Sequence, residues 1–372
     1  MEARQITMVQ AAAVIASTII GVGVLELPRL SVNAMDSGAP LFTLIGALIG
    51  LVGLILTTVL GVRFPRKSLI QYSEDIIGRW LALVINMALV VFFSILTALA
   101  SREFGEVVVT SVLKRTPLEV TVIMMLLLAA VIVRTDIATF TSVHLFYLPF
   151  MFVPGIAIVI FSLKNGFALN LLPIWGNEHH QIFSGLLTIA ALFQCSFVIT
   201  LIIPFMRSPK RAYVSMLWGW GISGVLYLLI VIAAVAVFGP EEIKVLMWPT
   251  LELAKTTALP ANILERLDAA FLAVWVTAVF TTLFSTYYLT IKSITQMFRL
   301  RDHKMFSYFL LPFIFLSAML PQSVLQMYDY IDIVGQTGLI LTVGYPCLLL
   351  MLAMIRKKRG EENVGSDHQK NL

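Results

Sequence analysis

Long apolar runs, each closed by a short polar or charged stretch, recur along almost the whole of this chain. Runs of this length are apolar on every face of a helix, which predicts spans buried in lipid rather than helices at a water-facing surface. Ten are predicted, at 9–27, 41–62, 81–101, 118–133, 144–163, 183–204, 213–238, 268–290, 306–320 and 333–355. The third is expected to continue as a helix past Arg102, because Phe104 to Leu113 stays apolar on one face while Glu103 and Glu106 lie on another. The connection from Gly239 to Leu267 carries Pro240, Pro249 and Pro260 and is too long for a tight turn and too apolar for solvated coil. Short helices lying against the membrane, capping a site or meeting a partner, are expected there.

Charge placement orients these spans. With the N-terminus in the cytoplasm, eighteen of the 26 lysines and arginines fall on cytoplasmic segments and eight outside, a bias that supports both termini on the cytoplasmic side. Five spans followed by five, each half odd in number, insert the second half upside down relative to the first. The expected fold class is therefore an all-α polytopic membrane protein of about ten transmembrane helices, a five-plus-five inverted repeat with discontinuous helices 1 and 6.

Composition agrees. Of 372 residues 59% are apolar and 13% charged, with mean hydropathy +0.92, which removes a water-soluble core from consideration. Residues 1–360 are read as a single transmembrane bundle and 361–372 as a disordered cytoplasmic tail. The net charge of +5 follows from loops facing anionic headgroups and calls for no nucleic acid. Cys195 and Cys347 both fall inside spans, which argues against a disulfide framework. Met1 to Gln10 has no small-residue cleavage site after its apolar run, so no cleaved signal peptide is expected.

The candidate chemistry begins at Gly21-Val22-Gly23, in the middle of the first span. Two glycines one residue apart let a helix unwind and expose backbone groups that lipid cannot satisfy. The N–H groups of Val22, Gly23 and Val24 are the expected donors to an anionic group, at the positive end of the second half-helix. Close helix packing through small residues is the alternative, although Gly-x-Gly does not build an i, i+4 face. Glu26 lies just beyond the break, where an ionisable residue near mid-bilayer costs about 2.5–3.5 kcal/mol on insertion scales. Three roles are open for it: a pair with Arg29 three residues on, recognition of a ligand amine, or a subunit contact.

In the sixth span, Phe193-Gln194-Cys195-Ser196 places an amide and two small polar side chains opposite the first break, and Pro204 closes the segment. Ser94 and Thr97, with Ser101, share one side of the third span and either line the pocket or bond neighbouring helices. Thr281, with Thr277, Thr282, Ser285 and Thr286 on the eighth span, offers hydroxyls that suit a sodium ion together with first-span carbonyls, or that bond back within the bundle, the more ordinary outcome. No metal site is expected: the adjacent His179 and His180 lack further ligands. His144 falls at the cytoplasmic edge of the fifth span, where a solvated histidine is expected. Tyr147, Trp175, Trp218, Trp220 and Trp248 read as interfacial anchors. No nucleophile with its base, phosphate loop or cofactor motif is found, and neither an enzyme nor a cofactor is expected.

At these residues the chain resembles the permease-like B subunits of bacterial spore germinant receptors, in the amino acid/polyamine/organocation transporter superfamily. The resemblance rests on Gly21-Val22-Gly23-Val24 with Leu27-Pro28-Arg29, on Asn170-Leu171-Leu172-Pro173, and on Trp248-Pro249-Thr250-Leu251-Glu252-Leu253 followed by Glu265-Arg266-Leu267-Asp268 and Trp275. Many members carry a glycine and an acidic residue in the sixth span, and Cys195 to Val198 supplies neither. The resemblance implies a bundle in the spore inner membrane that senses a germinant, such as an amino acid, together with companion A and C subunits. An ion- or proton-coupled amino-acid transporter is the alternative. A pocket of small, neutral and aromatic groups favours a small neutral or apolar amino acid.

Overall fold

The computed structural model describes residues 5–176, 181–256, 267–300, 302 and 304–360. The expectations for the tail 361–372, for His179 and His180, for Glu265 and Arg266 and for part of the connection from Gly239 to Leu267 lie outside the described residues.

The first span is built in pieces. Thr7 and Gln10 form a capping box that starts α1 (Met8–Ile19), a 3-10 turn follows at Val22–Val24, and α2 (Leu27–Met35) resumes with Pro28 in its first turn. α3 (Ala39–Arg63) is the second span, and the short α4 (Leu69–Ile77) leads through Gly78, in the left-handed region at φ 87°, into α5 (Arg79–Ser111). α5 does run on past Arg102, for 33 residues. α6 (Leu118–Ile132) and α7 (Ile137–Ser162) complete the first half. α7 is capped by Asp136, which accepts the Thr139 N–H at 3.1 Å. The hydrogen bond from Thr139 also holds the Asp136 carboxyl below its ordinary range.

The second half opens with an equally broken span. α8 (Ile182–Ala191) gives way to a 3-10 stretch at Gln194–Val198, then α9 (Ile199–Ile202) and a last 3-10 turn containing Pro204. α10 (Ala212–Val245) bends at Gly239, φ 73°, ahead of Pro240. α11 (Pro249–Thr256) lies in the connection from Gly239 to Leu267, where the sequence predicts short helices. α12 (Leu267–Met297) and α13 (Lys304–Ala318) follow. The tenth predicted span is in fact α14 (Val324–Leu339), a π-helical stretch at Ile340–Gly344 and α15 (Tyr345–Ile355), so it starts earlier than 333 and is interrupted as well.

Among the described residues seven helical stretches are long and apolar enough to cross a membrane, and Met8–Ile19, Leu118–Ile132 and Lys304–Ala318 are shorter apolar helices. A 15-residue helix rises only about 22 Å, less than a ~30 Å hydrocarbon core, which is why the fourth and ninth predicted spans fall in the shorter class. The chain is an all-α polytopic membrane bundle with discontinuous first and sixth spans. α1 packs against α7, α10 and the sixth-span break, while α5 packs against α12 and α14. α3 turns a row of glycines to the second half: Gly46 meets Ile189, Gly50 meets Phe193, Gly53 meets Val343 and Gly61 meets Ile203. Small residues on α3 thus bring the second span close to the broken sixth span.

Candidate functional site

Between the two breaks lies a cavity of about 90 Å³, walled by α1, the Val22–Val24 turn, α2, α5, α8, the sixth-span break, α10, α12 and α14. At ~10–15 Å³ per water this holds about six to nine waters, or a ligand of similar atom count. The first break is held open by side chains from elsewhere in the bundle. Tyr227 of α10 donates to the Ile19 carbonyl, Thr282 to that of Thr18 at 3.0 Å, Thr281 to that of Ser17 at 3.0 Å, and Thr250 of α11 to that of Val24 at 2.7 Å. These four carbonyls at the break therefore have partners. At the start of a 3-10 turn the leading N–H groups, here Val22 and Gly23, have none within the turn.

Of the residues expected at a site, Val22, Gly23, Glu26, Gln194 and Cys195 line this cavity together. The others sit around it. A side chain at Gly21 would collide with Thr282, so this glycine is a packing contact, whereas a Cβ on Gly23 would meet the Leu192 side chain, most closely its flexible end, Cδ2, at 2.6 Å. Val24 is buried behind its turn. Thr97 donates to Thr286 at 2.9 Å, and Thr286 is the cavity residue. Ser94 bonds back to the Val90 carbonyl at 2.7 Å. Phe193 packs edge-on against Tyr227 at 5.7 Å between centroids. Ser196 borders a second, water-sized cavity of about 10 Å³ with Gln194 and Thr342. Gln194 donates to the Gly335 carbonyl at 3.0 Å and accepts from Thr342 at 3.2 Å, tying the sixth-span break to α14 and the π-helical stretch.

The eighth-span hydroxyls bond within the bundle. Thr281 and Thr282 are tied to first-span carbonyls as above, and Ser285 lies 2.6 Å from the Thr18 hydroxyl. His144 departs from the sequence expectation: it is fully buried rather than solvated, with Nδ1 2.6 Å from Ser17 Oγ and Nε2 3.1 Å from Ser285 Oγ. α7 begins at Ile137, seven residues earlier than predicted, which draws His144 a turn or more into the bundle between Phe140 and Phe284. Trp175 and Trp218 are exposed, as anchors should be, but Trp220 and Trp248 turn inward and donate to the Ala47 carbonyl at 3.0 Å and to Tyr328 Oη at 2.7 Å.

Sequence reasoning missed several cavity residues. Tyr227, Glu103 and Asp332 all line it, and the sequence pattern shows Glu103 only as the polar face of a helix extension. An ionisable residue inside an apolar helix was the available signal. Glu26 pairs with Arg29 at 3.6 Å. Arg29 also stands over the Tyr328 ring at 5.9 Å, and the Tyr328 hydroxyl donates to Glu103 at 3.2 Å while accepting from Trp248. This network fastens α2, α5, α11 and α14 around one side of the cavity.

A broken-helix bundle with a partly polar cavity at the breaks has the architecture of a small-molecule permease. In overall fold the chain is similar to MhsT in complex with L-phenylalanine, with a TM-score of 0.67 at 12% identity, over 96% of this chain and 91% of that one. It is likewise similar to the substrate-bound outward-open state of a Na+-coupled sialic acid symporter, with a TM-score of 0.65 at 12% identity, over 94% and 78%. By sequence it belongs to the spore germination protein family, whose pattern it matches over residues 5–326. It is 25% identical over 360 residues to spore germination protein YndE of Bacillus subtilis (strain 168), covering 96% of this chain and 98% of that protein. Spore germination protein B2 of the same strain is 24% identical over 362 residues (96% and 97%), and GerLB of Bacillus cereus 26% over 351 residues (93% of each).

Proposed function

We propose that this chain is the germinant-sensing membrane subunit of a spore germination receptor, binding a small nutrient, an amino acid, in the cavity at the paired breaks to trigger germination. The observation that carries this reading is the pairing of leading N–H groups with carboxylates in one cavity, within a chain of the spore germination family. An amino acid complements both: its carboxylate meets the N–H groups of Val22 and Gly23, and its ammonium meets Glu26 or Glu103. In this reading ten spans form one bundle through residue 360, both termini face the spore core, the membrane is the spore inner membrane, and companion A and C subunits carry the signal onward.

The test is binding by the full-length chain in lipid nanodiscs, read as thermal stabilisation by a panel of amino acids. At least one is expected to stabilise the wild type, and Cys195→Phe, which fills the cavity, is expected to remove that effect without removing the fold. Stabilisation that survives Cys195→Phe places the ligand elsewhere.

An ion- or proton-coupled transporter is the second reading, favoured by the fold shared with MhsT and the Na+-coupled symporter. Accumulation of radiolabelled amino acid in proteoliposomes containing only this chain would establish it.

A further inference from the structure

We propose that the ligand of this cavity carries a net positive charge, as a small basic amino acid or a diamine does, held by the carboxylates of Glu26, Glu103 and Asp332. This rests on the ligand-sensing reading and narrows its substrate class.

Three carboxylates from three separate elements, the α2 N-terminus, α5 and α14, converge on one cavity of about 90 Å³. Among the described residues that line it there is no lysine, arginine or histidine. Glu26 and Glu103 are only 5% and 3% exposed, so bulk water does little to screen them. Arg29 serves Glu26 from the rim at 3.6 Å, and is shared with Met247 Sδ at 3.0 Å and the Tyr328 ring. Glu103 accepts from the Tyr328 hydroxyl, a neutral donor, which leaves most of its acceptor capacity unused among the described residues. One guanidinium therefore faces three carboxylates.

Buried carboxylates bind protons unless a cation lets them keep their charge, and a neutral amino acid supplies no net charge for this, because its ammonium is balanced by its own carboxylate. A second ammonium does. The cavity volume fits a chain as short as that of ornithine or putrescine. An ornithine-like ligand places its α-carboxylate at the Val22 and Gly23 N–H groups and its terminal ammonium between Glu103 and Asp332. A diamine places an ammonium at each end of the acidic wall and makes no use of the break.

The experiment titrates the full-length chain in nanodiscs with ornithine, putrescine and norleucine, which carries a methyl group where ornithine has its terminal ammonium. Half-saturation by ornithine or putrescine is expected at a concentration about tenfold or more below that for norleucine, since buried charge complementarity sets specificity on this scale. Glu103→Gln is expected to bring the ratio close to one, and Asp332→Asn, at a half-buried position, to reduce it; the second variant serves if the first fails to insert. Preference for ornithine over putrescine identifies an amino acid, and the reverse a diamine. Norleucine binding as tightly as ornithine to the wild type, or an unchanged ratio in both variants, overturns the charge selectivity and leaves the ligand-sensing reading in place. No stabilisation by these three or by any common amino acid overturns both.

Discussion

Gly21 and Gly23 look equivalent in sequence, yet their surroundings divide them. A methyl group at Gly21 lands on Thr282, whose bond to the Thr18 carbonyl holds the end of α1, so Gly21→Ala is expected to cost about 1–3 kcal/mol as overpacking and to lower the amount of inserted protein. Because Thr282 also lines the cavity, ligand sensitivity per inserted molecule should change as well, but less than for Gly23→Val, which immunoblotting of membranes beside a dose–response curve checks. The Gly-x-Gly break was legible because paired glycines weaken a helix locally and stand out within a continuous apolar run. The burial of His144 was not, since its partners, Ser17 and Ser285, lie 127 and 141 residues away in the chain. His144→Leu removes both bonds and is expected to destabilise the solubilised chain by about 1–3 kcal/mol, seen as a lowered Tm. An unchanged Tm would mean that the imidazole is not structural.

Helix existence was the most legible feature, because each apolar run is long, continuous and closed by charge. Element ends were less so: α7 starts before its predicted span and α14 well before the tenth, where polar residues such as Gln326 and Asp332 interrupt the apolar run but are half-buried in the helix. Gln336 donates to Ser184 and Thr188 of α8 at 2.9 Å each, a cross-span tie that no local pattern announces. α11, in a connection expected to cap a site or meet a partner, is tied to the cavity's surroundings: Thr250 bonds the Val24 carbonyl, and Trp248, just ahead of the helix, reaches Glu103 through Tyr328. Tyr328→Phe deprives Glu103 of its donor and Trp248 of its acceptor. It is expected to shift the half-maximal ligand concentration several-fold, in line with ~1–3 kcal/mol for a buried unsatisfied group, whereas Tyr330→Phe, at an exposed position of the same helix, should leave it unchanged.

For the whole molecule, the division of lysine and arginine between alternate segments predicts that Lys114 and Arg66, both exposed, face opposite sides of the membrane. Cysteines placed singly at these positions in a Cys195→Ser, Cys347→Ser background should label with an impermeant reagent from opposite sides; labelling from one side would remove the inverted topology. The acidic wall of the cavity is the part of the site that the sequence concealed most completely. Glu26, Glu103 and Asp332 stand at or beside spans predicted as the first, third and tenth, and nothing in their spacing says that three helices bring them to one space.

The proposal that this space receives a germinant is tested most directly by Gly23→Val in spores whose sole protein of this family is this chain. The readout is the ligand concentration giving half-maximal germination, normalised to the amount of inserted protein. The branched side chain collides with Leu192, which lines the cavity, and the concentration is expected to rise about tenfold or more, as when volume in a close-packed site is taken up, with protein abundance falling much less. An unchanged concentration, with less protein in the membrane, would show that Gly23 serves packing alone and that the ligand binds away from the paired breaks.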